Sequence, residues 1–376
     1  MIERALLKKI IHDCAKQKVS LLVGARRVGK TELLLQVRAH FENDCLWLNG
    51  EDEDTASLLA ERTEANYNRL LQQKKLLIID EAQYITDIGR KVKLMIDAIK
   101  PLHIIITGSS SFDLQQKEGE PLVGRTITNQ LYPIAQMELS PTENILQTRQ
   151  NLPDRLVFGG YPEVLGIPVQ SEKQQYLQEL VNTYLLKDIL AFENIRNPLK
   201  IKSLLILLAH QIGKEVSLEE LGRNLGISKN TVERYLELLA KSFVLYKRQG
   251  FSKNLRKEIV KSSRWYFFDN GVRNALLNNF QPLAIRQDTG MLWENYVLSE
   301  RIKYTAYRQE HVNSYFWRTY DQQEIDLIEE KAGSITAYEM KWNATAAKRP
   351  VAFSKAYPDA AFHTLSRNNY EDFIAR

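Results

Sequence analysis

Eight consecutive residues, Gly24-Ala25-Arg26-Arg27-Val28-Gly29-Lys30-Thr31, follow the apolar run Val19-Ser20-Leu21-Leu22-Val23 and open an apolar-periodic stretch. A strand, a glycine-bounded loop, Lys-Thr and a helix are the parts of a phosphate cradle. The glycines admit positive-φ turns, the turns aim backbone N–H groups at phosphate oxygens, and the helix N-terminus stands behind them. Lys30 is expected on the β- and γ-phosphates and Thr31 on a Mg²⁺ ion. Further on, Leu76-Leu77-Ile78-Ile79-Asp80-Glu81 reads as a short buried strand ending in two carboxylates. Asp80 can hold the Mg²⁺ through water while Glu81 polarises the water that attacks the γ-phosphate. The two halves together predict ATP binding with Mg²⁺, and hydrolysis.

A third apolar strand, His103-Ile104-Ile105-Ile106-Thr107, runs into Gly108-Ser109-Ser110-Ser111. Its end places Thr107 and Ser109 where the carboxyl ends of parallel strands meet a ligand, so either hydroxyl can sense the γ-phosphate or cap a helix. Arg125 is a candidate finger or sensor arginine, with an ordinary exposed arginine as the competing reading.

The C-terminal part carries a second constellation. Gly290 opens a helix bearing Glu294, and strands follow at Glu324-Ile325-Asp326-Leu327-Ile328 and Ile335 to Trp342, joined across Lys331-Ala332-Gly333. Period-two alternation puts Glu339 and Lys341 on one face, and an antiparallel pairing brings Asp326 beside them. This is a PD-(D/E)xK pattern. Asp326, Glu339 and Glu294 would hold a hard cation, and Lys341 would stabilise or deprotonate an attacking water for phosphodiester cleavage. Strands with exposed Glu and Lys are also ordinary solvated faces.

Between these regions, Ser217-Leu218-Glu219-Glu220 is a capping box opening a helix that stops near Gly226, and Ser228 caps a second helix through Leu239. Phe243 to Tyr246 and Arg264 to Phe268 read as two strands of a wing. From Lys241 to Arg264 there are eight basic residues (Lys241, Lys247, Arg248, Lys253, Arg256, Lys257, Lys261, Arg264) against the acid Glu258, a local net of +7 against +5 for the chain. That is the electrostatic footprint of nucleic-acid backbone contact, with DNA the natural partner and Lys229, Asn230, Arg234, Lys247 and Arg248 the expected contacts. A solvated or protein-contacting basic hairpin competes with it.

The segments GARRVGKT, LLIIDEAQ, ITGSSSF, LVGR, GGYPEVL and YLLKDIL occur in the order found in prokaryotic AAA+ ATPases with a C-terminal restriction-endonuclease-like domain, and the chain resembles that family along nearly its whole length. The resemblance implies an α/β fold. Residues 1–135 would be the parallel-sheet P-loop ATPase core, 136–200 a helical lid, 201–280 a winged helix-turn-helix and 281–376 a PD-(D/E)xK nuclease-like domain. It also implies that Arg125 acts as a finger across a subunit boundary, which would need a homo-oligomer. It supplies no role for Tyr184, Lys187 and Asp188.

At 376 residues, 44% apolar and 26% charged, the chain has the size and composition of a multidomain folded protein. Cys14 and Cys45 lack both metal and disulfide-scaffold spacing, and the mixed-charge N-terminus lacks the apolar block of an export signal. No apolar run approaches the roughly 20 residues that span a bilayer. A cytoplasmic protein without membrane partners is expected. The function predicted is ATP hydrolysis coupled to DNA binding. An ATP-licensed DNA endonuclease and a nucleotide-loaded switch for a protein partner are the alternatives.

Overall fold

The computed structural model describes residues 2–108, 122, 124–185, 197–252, 263–344 and 346–375. The chain forms two compact units, Met1–Tyr132 with Lys241–Phe243, and Pro133–Ala240 with Val244–Arg376.

The first unit is built on five parallel strands, β1 (Val19–Val23), β2 (Cys45–Asn49), β3 (Leu76–Asp80), β4 (His103–Gly108) and β5 (Thr126–Gln130), in the order β2-β3-β4-β1-β5. Every residue of β1 and β3 is buried, so these strands carry continuous apolar runs rather than alternation. Leu21, Ile79 and Ile106 pack with Tyr67 and Leu71 of the helix Glu64–Leu71 and with Val92 and Met95 of the helix Ile88–Ala98. The order sets β4 between β1 and β3, so the ends of the three most buried strands lie side by side. β1 ends in the predicted phosphate loop and β3 in the predicted carboxylate pair.

The second unit holds a seven-stranded mixed sheet. Its strands are β6 (Glu215–Val216), β7 (Leu245–Gly250), β8 (Ser263–Phe267), β9 (Asn313–Arg318), β10 (Glu324–Lys331), β11 (Ser334–Met340) and β12 (Ala361–Leu365), ordered β12-β11-β10-β9-β7-β8-β6. The predicted helix pair is present as Leu218–Leu225 and Lys229–Lys241. Ser217 accepts from the Glu220 N–H, Gly226 closes the first helix at φ 63°, and Ser228 accepts from the Thr231 N–H. The hairpin at Ala332 and Gly333 is also present, both residues having positive φ.

Within the second unit β7 pairs in parallel with β9, Gln249 opposite Tyr315 and Gly250 opposite Phe316, which joins β6–β8 to the C-terminal strands in one sheet. Buried asparagines tie the helices into the same unit. Asn270 donates to the carbonyls of Leu156 and Leu292, and Asn274 to those of Leu156 and Val157. The Gly159-Gly160 pair belongs to this interior, for a Cβ at Gly159 would stand 2.1 Å from Asp269 Oδ1. Among the described residues no helix is long and apolar enough to cross a membrane.

Candidate functional site

In the first unit, β1 delivers the chain into the loop Gly24–Gly29. A Cβ at Gly24 would lie 2.3 Å from the Leu131 carbonyl, so only glycine fits, and Gly29 takes φ 92° as the cap of the helix Lys30–Ala39. Ala25 and Val28 are buried, while Arg27 is exposed at φ 63° and the partly exposed Arg26 reaches Tyr84 Oη at 3.4 Å. Lys30, 6% exposed, turns its ammonium onto the carbonyls of Gly24 and Ala25 at 3.0 and 3.1 Å. A lysine on neutral carbonyls can exchange them for an anionic partner, to which a charged donor bonds more strongly.

Thr31 donates to Asp80 Oδ2 at 2.9 Å, which joins the two predicted halves of the site. Fully buried Thr107, at the end of β4, donates to Asp80 Oδ1 and accepts from the Glu81 N–H at 2.9 Å. Thr107 therefore orients the carboxylate pair, and its hydroxyl is engaged in that task. Glu81 sits in the left-handed region at φ 49°, and Gln83 donates to its Oε2 at 2.5 Å. A non-glycine residue held at positive φ is strained backbone of the kind that collects at working sites. Ser109 lies outside the described residues.

Arg125 has a different place. It precedes β5, whose Thr126 pairs with Val19 at the start of β1, so it stands at the end of the sheet opposite the loop, with Nε on Asp97 at 2.9 Å. At roughly 3.3 Å per residue the strand puts the loop beyond an arginine's reach, so Arg125 is no sensor for its own chain's nucleotide.

In the second unit, the residues predicted to contact nucleic acid separate into two sets. Lys229, Asn230 and Arg234 are exposed along their helix, with Lys229 on Glu219 at 2.6 Å, and Lys247 is exposed on β7. Arg248, expected beside it, is 4% exposed and points inward, and Arg264 is 3% exposed, bonded to Glu324 and stacked over Phe316 at 4.5 Å. Two neighbours on a strand face opposite ways, so with Lys247 on the exposed face of β7, Arg248 is carried to the buried one. Lys253, Arg256, Lys257 and Lys261 lie outside the described residues, as do Lys187, Asp188 and the side chain of Tyr184.

The predicted nuclease-like residues gather in this second interior. The register Leu327 opposite Tyr338 puts Asp326 across from Glu339. Lys341 pairs with Glu339 at 2.6 Å, Asp326 accepts from the Met340 N–H at 2.7 Å, and Glu294 accepts from Tyr266 Oη at 2.7 Å. Burial, with the charges of Glu294 and Glu339, pushes the Asp326 carboxyl well above its usual range. Burial also raises Glu294, against the opposing pull of Arg264. Asp326 and Glu294 each accept from a protein donor, whereas Glu339 pairs with Lys341 through Oε1 and its Oε2 is buried with no hydrogen-bond partner among the described residues. Among the described residues no three acidic, histidine or cysteine side chains converge as a metal-ligand set, contrary to the expectation for Glu294, Asp326 and Glu339.

Residues 16–140 match the family model described as an AAA domain. Residues 149–283 and 289–369 match two models described as domains of unknown function (DUF8612 and DUF4143). The chain is 29% identical over 354 residues to an uncharacterized protein of Mycobacterium tuberculosis, spanning 92% of this chain and 75% of the relative. It is 26% identical over 365 residues to one of Methanocaldococcus jannaschii, spanning 91% and 79%. Among solved structures, the Walker-type ATPase of Pyrococcus abyssi aligns over 74% of this chain and 96% of its own, at 16% identity and a TM-score of 0.48.

Proposed function

We propose that this protein hydrolyses ATP with Mg²⁺ at the β1, β3 and β4 strand ends, and that turnover is coupled to DNA contact by the helix Lys229–Lys241. The observation that carries the first part is the continuous chain Thr31, Asp80, Thr107, Glu81 beside the buried Lys30. A hydroxyl and a carboxylate in contact are the hard oxygen donors a Mg²⁺ ion takes, and both fit that ion. Bound there, Mg²⁺ would neutralise charge on the phosphates. Lys30 exchanges the carbonyls of Gly24 and Ala25 for phosphate oxygens. Thr107 holds Asp80 in place and fixes the Glu81 backbone, and Glu81 accepts the proton of the attacking water. Arg125, remote from its own loop, acts only on a neighbouring subunit's nucleotide in a homo-oligomer.

The second part rests on the exposed Lys229, Asn230, Arg234 and Lys247 beside a capped helix pair. The endonuclease reading has less support, because among the described residues no three acidic, histidine or cysteine side chains converge as a metal-ligand set. ATP turnover of wild type and Glu81→Gln, measured with and without duplex DNA at two salt concentrations, tests the reading. Turnover stimulated by DNA, weakened by salt and abolished by Glu81→Gln is expected. Slow turnover indifferent to DNA would transfer the assignment to a protein-directed nucleotide switch.

A further inference from the structure

The phosphate loop is held from behind by a residue that precedes the AAA-domain match. Arg4 is 4% exposed, and its guanidinium donates from Nη1 to the carbonyl of Val28 at 2.6 Å and from Nη2 to the carbonyl of Tyr132 at 2.7 Å. We propose that Arg4 is a positioning residue for nucleotide binding, a brace that sets the Val28–Gly29 peptide so that the loop presents N–H groups to phosphate. The proposal rests on the ATP reading of this loop.

The argument begins with the peptide group itself. A trans peptide is planar, with C=O and N–H pointing in opposite directions, so pinning the Val28 oxygen on one side fixes the Gly29 N–H on the other. Gly29, at φ 92°, supplies the turn that makes this orientation affordable, and the helix beginning at Lys30 follows from it. Leu33 N–H donates to the Gly29 carbonyl at 3.0 Å, so the first helical turn inherits the loop's position.

The second arm of the fork reaches the far side of the loop. Tyr132 follows Leu131, whose N–H donates to Val23 O and whose carbonyl crowds Gly24. One planar guanidinium thus ties the end of the loop to the segment that packs its beginning, a span a single ammonium cannot cover.

Arg4 is itself held by the helix Leu6–Cys14. Leu6, Ile10 and Cys14 are buried, buried Asp13 binds Lys9 and Lys16, and Lys9 also reaches Asn129 on β5. That second tie gives the control, because Lys9→Met removes one polar tie of the helix while the buried Leu6, Ile10 and Cys14 and both arms of the Arg4 fork stay in place.

Three variants, Arg4→Met, Arg4→Lys and Lys9→Met, would be compared by titration with a fluorescent ATP analogue and by amide exchange of the nucleotide-free full chain. Arg4→Met is expected to weaken the analogue about tenfold to a hundredfold, the loss of a charge-assisted hydrogen bond, with Arg4→Lys intermediate and Lys9→Met at the wild-type value. The Leu33 amide should exchange faster in Arg4→Met while the amides of β4 are unchanged. Wild-type affinity and exchange in Arg4→Met would overturn the proposal, and so would an equal loss in Lys9→Met, which would assign the effect to helix docking. If Arg4→Met does not fold, Arg4→Lys carries both readouts. Failure of the wild-type chain to take up the analogue would refute the ATP reading, whereas Leu33 exchange decides the brace independently.

Discussion

Replacing Thr107 with valine removes one hydroxyl and almost no volume from a fully buried position at the end of β4. Asp80 Oδ1 loses the Thr107 donor, while Oδ2 keeps Thr31. The Glu81 N–H loses its 2.9 Å acceptor but retains Asp80 Oδ1 at 3.2 Å, so no backbone donor is orphaned. The loss is therefore about one hydrogen bond to a charged group, about 1.5–3 kcal/mol. If that bond holds Asp80 and Glu81 in the geometry of the transition state, kcat falls about tenfold to a hundredfold, at about 1.4 kcal/mol per decade. The assay is steady-state ATP turnover as a function of Mg²⁺. The Mg²⁺ concentration for half-maximal rate should rise, because Asp80 is less ordered, and saturating Mg²⁺ should restore only part of kcat, because the Glu81 backbone has also lost an anchor. A variant with wild-type kcat and wild-type Mg²⁺ dependence would refute the assignment of Thr107 as the residue that orients the carboxylate pair.

Two further outcomes follow from the second unit. Lys247→Ala should lower the slope of log affinity for DNA against log salt by about one and leave stability within about 0.5 kcal/mol, whereas Arg248→Ala should cost about 2 kcal/mol or more by emptying a buried site and leave the salt slope unchanged; DNA titrations and thermal unfolding separate the two. Asp326→Asn should stabilise the unit at pH 8 and do so much less at pH 4. A carboxyl with a raised folded-state pKa stabilises fully below its unfolded value and loses that contribution as pH rises through the folded value. Asparagine keeps an acceptor for the Met340 N–H and carries no charge, and the gain is about 1.4 kcal/mol per unit of raised pKa. Unfolding followed by the fluorescence of Trp265, Trp293, Trp317 and Trp342 reads it, and a pH-independent difference would contradict the origin given for the shift.

The ATP site was legible in the sequence because its parts are contiguous. Gly24 to Thr31 and Leu76 to Glu81 are short segments whose chemistry is local, and an apolar strand before each dictates a buried position whatever lies beside it. The helix pair was legible for the same reason, since Ser217, Gly226 and Ser228 act within one turn of their own positions. Strand order and long-range side-chain contact are not written locally. That Thr107 serves Asp80 rather than a phosphate depends on β4 lying between β1 and β3. That Arg248 faces inward while Lys247 faces solvent depends on which face of β7 the rest of the second unit covers. That Arg4 reaches the phosphate loop depends on a helix docking beside a strand that comes more than a hundred residues later in the chain. Local propensity and spacing carry information over a turn or a strand, and only the packed sheet, which brings distant residues within hydrogen-bond reach, decides which of them meet.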